Sequence, residues 1–136
     1  MEFRANTTIA ASAQDVWDVL VDTNRWSEWD PHVERIDGEV ILGEKVTVHT
    51  TLSSSAFPVE VAEFAPPHRM LWRGGLPFGL MTGNRTFTLS EADGVTTYDV
   101  HEVFTGPLLG IMKRFMPDLQ PSFEAHVAGL RAHIED

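Results

Sequence analysis

GPLLGIMKRFMPDLQPSFEAHVAGLRAHI, residues 106–134, carries the strongest periodicity in the chain. Leu108, Met112, Met116, Leu119, Phe123, Val127, Leu130 and Ile134 follow at spacings of 4, 4, 3, 4, 4, 3 and 4, which sets them along one helical face. Gly106-Pro107 opens the stretch, with proline where a helix has no use for its missing N–H. Pro117 and Pro121 oppose a continuous helix, because each removes a donor and collides with the turn before it. The apolar stripe keeps its register across them. The expectation is a helix from about residue 107 to 134, kinked near Pro117, with Asp118 capping the second half and Pro121 in its first turn.

A helix with one apolar face needs a surface to cover it. From residue 32 to 105 the period changes to two. Val46, Val48, Thr50 and Leu52 alternate with Lys45, Thr47, His49 and Thr51, and Met70 and Trp72 alternate with Arg69, Leu71 and Arg73. Val59 and Val61 begin a strand interrupted near Phe64 by a bulge. Arg85, Phe87 and Leu89 share a face of the next strand. Asp93-Gly94 turns the chain, and Tyr98, Val100, Glu102 and Phe104 share a face of the last strand.

Upstream, Glu2 to Ala10 reads as a first strand. Ser12 caps a short amphipathic helix over Ala13 to Val21, and a second short helix follows from Thr23 until Pro31 ends it. The fold class is therefore α+β: a curved antiparallel sheet of six to seven strands gripping the C-terminal helix, in one domain over residues 1–136. Gly74 to Gly83 is an unusually apolar loop, with Leu76, Phe78, Leu80 and Met81, and is expected to form the rim of a cavity.

Four stretches carry a family resemblance: Ala11-Ser12-Ala13-Gln14-Asp15-Val16-Trp17, Trp26-Ser27-Glu28-Trp29-Asp30-Pro31, Pro66-Pro67-His68-Arg69-Met70-Leu71-Trp72 and Phe104-Thr105-Gly106-Pro107-Leu108. In this order they resemble the START-like, or SRPBCC, superfamily, in particular its polyketide cyclase/dehydrase and lipid-transport branch. The resemblance spans nearly the whole chain and implies the helix-grip fold. It does not choose a function, since the superfamily holds lipid carriers, ligand-binding proteins, aromatases and cyclases, and chaperone activators.

The residues narrow the choice. Cysteine is absent, which removes disulfides, thiolate metal sites and Cys nucleophiles. The six His form no His-x-His or His-Glu-x-x-His arrangement, and no metal or cofactor is expected. His126 lies beside the apolar stripe of the last helix; of its two readings, a residue bordering the pocket or one at the helix edge, the second is favoured. No Gly-x-Ser-x-Gly elbow, P-loop or Gly-x-Gly-x-x-Gly is present. A formal charge of −10 disfavours nucleic acid and anionic membranes. Met1-Glu2-Phe3-Arg4 lacks an apolar signal core, and no apolar run approaches membrane-spanning length. A cytoplasmic protein without stable membrane insertion is expected.

The informative pair is Arg85 and Glu102. Their neighbours two residues away are apolar, so alternation points both inward. If Ala92 to Val95 form a four-residue loop, Leu89 falls opposite Tyr98, Phe87 opposite Val100 and Arg85 opposite Glu102. The expected site is an internal cavity between sheet and C-terminal helix, lined by Met70, Trp72, Phe87, Val100, Phe104, Met112, Met116 and Phe123, with Arg85, Glu102 and Tyr98 as its polar groups. The favoured function is non-catalytic binding or transport of a small hydrophobic, lipid- or polyketide-like molecule. The alternative is a polyketide cyclase, aromatase or dehydratase, with Arg85 stabilising an enolate and Glu102 or Tyr98 moving protons. A chaperone-activator module is a further alternative. That branch usually has Gly-Trp ahead of the last helix, whereas Gly106 is followed here by Pro107.

Overall fold

A computed structural model describes residues 1–136. Strand β1 (Glu2–Ile9) leads into helix α1 (Ala13–Val21) and a 3-10 segment (Thr23–Glu28). Six strands follow: β2 (Val33–Asp37), β3 (Lys45–Thr50), β4 (Phe57–Ala65), β5 (Arg69–Gly75), β6 (Thr82–Ala92) and β7 (Val95–Thr105). The chain ends in a single turn, α2 (Leu109–Met112), and helix α3 (Gln120–Glu135). All strand pairs are antiparallel, in the order β1-β7-β6-β5-β4-β3-β2, and the curled sheet holds α3 against it as a helix grip.

Local chemistry explains the element ends. The Ser12 hydroxyl accepts the Asp15 amide at 3.1 Å and starts α1. Asp93 and Gly94 both have positive φ, 54° and 77°, as a two-residue hairpin turn requires. The β6–β7 ladder closes as far out as Ala92 and Val95, and its register is the expected one: Leu89 opposite Tyr98, Phe87 opposite Val100, Arg85 opposite Glu102. The β4 irregularity lies between Val61 and Glu63, just before Phe64.

The C-terminal helix departs from expectation. It is broken rather than kinked: Lys113 to Leu119 is not α-helical, and only Gln120–Glu135 forms a long helix. Two prolines four residues apart deny the backbone the bonds it needs to bridge them. Pro121 does lie in the first turn of α3, and the Asp118 carboxylate accepts the Gln120 amide at 3.1 Å. The break removes Met112 and Met116 from the interior. Both are half-buried and lie outside the cluster of 21 core residues that contains Met70, Trp72, Phe87, Val100 and Phe123.

Helix α3 is seated closely. Its buried face is Phe123, His126, Val127 and Leu130. The Gln120 amide side chain donates to the Arg4 carbonyl at 2.7 Å and ties the helix start to β1. One turn beyond His126, Gly129 touches the Trp29 carbonyl so closely that any side chain there would collide with it. No helix is long and apolar enough to cross a membrane.

Candidate functional site

Arg85 and Glu102 face each other on β6 and β7, and their side chains meet on the concave side. The guanidinium Nε donates to Glu102 Oε1 at 2.9 Å, and a second nitrogen lies 2.8 Å from the same oxygen. Gly83 leaves room for this, since a Cβ there would stand 2.7 Å from Glu102 Oε2. The guanidinium also lies 4.7 Å over the Phe123 ring, a favourable cation–π placement. The pair is neither sealed nor open: 30% of the Arg85 side chain and 12% of the Glu102 side chain remain exposed. It occupies the end of the sheet nearest the β5–β6 loop, which is shorter than expected at Leu76 to Met81 because Gly74 and Gly75 pair with Gly83 and Thr82, and it lies three residues from the Thr82–Thr105 pair.

Deeper in, the structure brings together groups that local sequence reading did not connect. His126 is 4% exposed, buried instead of lying at a helix edge. Its Nδ1 is 2.8 Å from Asp30 Oδ2, and its Nε2 is 2.7 Å from the Tyr98 hydroxyl. Asp30 also accepts the His32 amide at 3.0 Å. Burial raises the Asp30 carboxyl, but hydrogen bonding and charge interaction with His126 and the His32 amide outweigh it and leave it below the usual value. Burial pulls His126 below its ordinary value despite Asp30. Burial holds the Tyr98 phenol well above its ordinary value. At neutral pH the chain is therefore an Asp30 carboxylate, a neutral His126 donating from Nδ1, and a Tyr98 hydroxyl donating to Nε2. The Arg85 charge acts on all three.

An aromatic wall surrounds this relay. Trp26 stacks on Trp72 at 5.3 Å, and the His126 ring lies 5.2 Å from Trp26 and 5.0 Å from Trp29. The Trp26 indole donates to the Leu20 carbonyl. The indole N–H groups of Trp29 and Trp72 are buried without an acceptor. Orphaned buried donors are rare in folded proteins and call for an explanation.

Of the expected lining, Met70, Trp72, Phe87, Tyr98, Val100, Phe104 and Phe123 are buried on the concave face or under α3. They fill the interior against one another. Two surface hollows lie elsewhere: an open groove of about 450 Å³ between β1 and α3, and one of about 270 Å³ near Val40 and Phe64. Sequence reading missed Asp30 and favoured the helix edge for His126, which is buried. The available signal for His126 was its place in the Phe123, His126, Val127, Leu130 pattern, a spacing that selects the buried face of a helix.

No curated protein matches this chain. Solved structures share its fold at low identity. DynU16, from the dynemicin biosynthetic locus, aligns with a TM-score of 0.71 at 19% identity over 98% of this chain, which spans only 47% of that protein. The Zhui aromatase/cyclase from Streptomyces sp. R1128 aligns with a TM-score of 0.76 at 14% identity, covering 99% of this chain and 93% of that one. A START superfamily protein from Mycobacterium smegmatis aligns with a TM-score of 0.70 at 12% identity, covering 98% and 97%. The family model described as polyketide cyclase/dehydrase and lipid transport matches residues 1–135. That match runs over the whole sheet and the gripped C-terminal helix, so the chain belongs to the polyketide cyclase/dehydrase and lipid-transport family.

Proposed function

We propose that this protein binds a small, largely apolar molecule between the sheet and α3, with the ligand's polar group held by Arg85 and Glu102. The observation that carries this reading is the part-exposed Arg85–Glu102 pair at one end of a concave face lined mainly by apolar and aromatic side chains. A few placed polar groups on an apolar wall orient a ligand and set its specificity. The orphaned Trp29 and Trp72 donors support it, because ligand oxygen atoms would satisfy them. Entry requires the wall to part. The non-helical stretch from Lys113 to Leu119 is the section able to move without breaking strand pairing.

The test uses 8-anilinonaphthalene-1-sulfonate, an apolar anion, as a probe, with native mass spectrometry of the purified protein to reveal a retained small molecule. Arg85→Met should weaken probe binding about tenfold, the worth of one charge-assisted contact. The same variant, Glu102→Gln and the double variant form a stability cycle, with an expected coupling of about 2 kcal/mol, between exposed and buried pairs. Unchanged probe affinity together with simply additive, small stability losses would refute the site.

The Asp30–His126–Tyr98 relay favours one second reading, a cyclase or dehydratase. Asp30 fixes the His126 tautomer, Nε2 holds the Tyr98 hydroxyl in its protonated form as a proton donor, and the Arg85 charge would stabilise an enolate. Under this reading Tyr98→Phe abolishes turnover of a poly-β-keto thioester yet leaves probe binding within about twofold. Equal turnover by both proteins, or none by the wild type, would exclude it.

A further inference from the structure

The end of the sheet beyond the Arg85–Glu102 pair has an unusual surface. The loop from Leu76 to Met81 closes on itself through the Leu76 amide and the Met81 carbonyl, 2.8 Å apart. It is joined to the last part of the chain by the Leu108 amide, which donates to the Leu80 carbonyl at 2.9 Å. The two segments therefore meet at this tip of the sheet, where the Gly106 backbone also lies against Leu80 and Met81. In the first, Phe78 is 98% and Leu80 37% exposed; in the second, Ile111 is 61% and Phe115 80% exposed. Phe78 has φ 60° and ψ 24°, a left-handed conformation unfavourable for a bulky aromatic residue. An exposed ring held outward at a conformational cost is the kind of local strain that accompanies functional sites.

The charge of the tip is opposite to that of the molecule. The chain carries −10 overall, yet no acidic residue lies between Glu63 and Glu91 or between Glu102 and Asp118. Lys113 and Arg114 lie next to Ile111 and Phe115, are exposed, and have no carboxylate partner. Arg4, Arg25, Arg35, Arg69, Arg85 and Arg131, by contrast, each pair with a carboxylate.

We propose that this tip, with Phe78, Leu80, Ile111 and Phe115 as its apolar knobs and Lys113 and Arg114 as its cations, docks reversibly on a bilayer surface bearing anionic phospholipid. The shape favours lipid over protein. A stable protein partner needs about 800 Å² of complementary surface on each side, whereas rings exposed to this degree stand out singly. A fluid headgroup and acyl boundary accepts isolated knobs, and cations beside them meet lipid phosphates. The acidic remainder of the surface would hold the rest of the molecule away from the bilayer and make docking reversible. Docking would bring the Arg85–Glu102 end, about 10 Å along the strands from the Thr82–Thr105 pair, towards the membrane.

Flotation of the full chain with vesicles tests this whatever the interior ligand is. With equal parts phosphatidylglycerol and phosphatidylcholine the protein should float, and with phosphatidylcholine alone it should not. Phe78→Asn keeps a residue that tolerates positive φ, and together with Phe115→Gln it should weaken vesicle binding at least tenfold. Lys113→Gln and Arg114→Gln should each weaken it about fivefold, and raised salt should do the same. Phe115→Gln alone changes one exposed ring, so it serves as the second variant if the pair fails to fold. Absence of the wild type from floated anionic vesicles would overturn the proposal, as would equal flotation of the variants. Sedimentation showing wild-type self-association that Phe115→Gln abolishes would give the tip to a second copy of the chain and overturn it too.

Discussion

Replacing Gly129 with alanine is expected to destabilise the protein by about 3 kcal/mol or more, against the ordinary sign for this substitution. Inside a helix, glycine to alanine usually gains about 1 kcal/mol. Here the added methyl group would run into the Trp29 carbonyl oxygen and carbon, with Pro31 Cδ 3.8 Å away. The obstacle is backbone, so no rotamer change relieves it, and α3 must retreat from the loop after the 3-10 segment. That retreat would also pull His126, three residues earlier on the same face, from Asp30. Overpacking and a broken buried hydrogen bond act together. Urea unfolding gives the answer directly. An increase in stability, or a loss below about 1 kcal/mol, would show that the close approach is not what seats the helix.

The buried relay leads to the other large effect, and its sign depends on pH. His126→Leu should cost about 3–5 kcal/mol at pH 7, because it leaves the Asp30 carboxylate buried without its partner. In the wild type both Asp30 and His126 have lowered folded values. The folded state then binds fewer protons than the unfolded one wherever either titrates, so both contributions are lost on acidification. The His126 contribution is complete above about pH 6.5 and declines as pH falls towards its lowered value. The Asp30 contribution begins to decline near pH 4. Tyr98, with its raised value, acts oppositely: its contribution is complete below about pH 10 and is lost above it. The expected profile is a plateau between about pH 6.5 and 10 with shoulders on both sides.

In His126→Leu the His32 amide and the Arg85 charge still lower the Asp30 carboxyl, but burial, the largest influence, drives it upward. Protonation then relieves the unpaired charge, so the gap between variant and wild type should narrow as pH falls from 7 to 4.5. Unfolding titrations at the two pH values decide it. A gap that stays constant would mean that neither His126 in the wild type nor Asp30 in the variant titrates over that range, and the relay would lose its electrostatic basis.

The two halves of the interior were unequally legible in the sequence. Arg85 and Glu102 could be paired by counting back from Asp93-Gly94, because a hairpin fixes register over short distances and alternation fixes the face. Asp30 and His126 lie 96 positions apart, and nothing local to either specifies the other. Asp30 stands before Pro31, where the second short helix was expected to end, and its burial follows from the way Gly129 lets α3 close over that segment. The last helix shows the converse limit. Apolar spacing from Leu108 to Ile134 was regular enough to suggest one helix, but periodicity records which residues face inward, not whether the backbone between them is able to hydrogen-bond. Pro117 and Pro121 decided that question and turned Met112 and Met116 away from the core.

The strand order has a consequence for the order of assembly. From β2 to β7 each strand pairs with the next, so this meander can zip up hairpin by hairpin as the chain emerges. Strand β1 is synthesised first and pairs with the strand synthesised last, Glu2 opposite Val103 and Ile9 opposite Thr96. On a ribosome its hydrogen-bonding edge stays without a partner until nearly the whole sheet has been made, and α3, anchored to β1 through Gln120 and Arg4, comes later still. The relay is therefore completed near the end of folding, since His126 arrives with the helix that closes the grip.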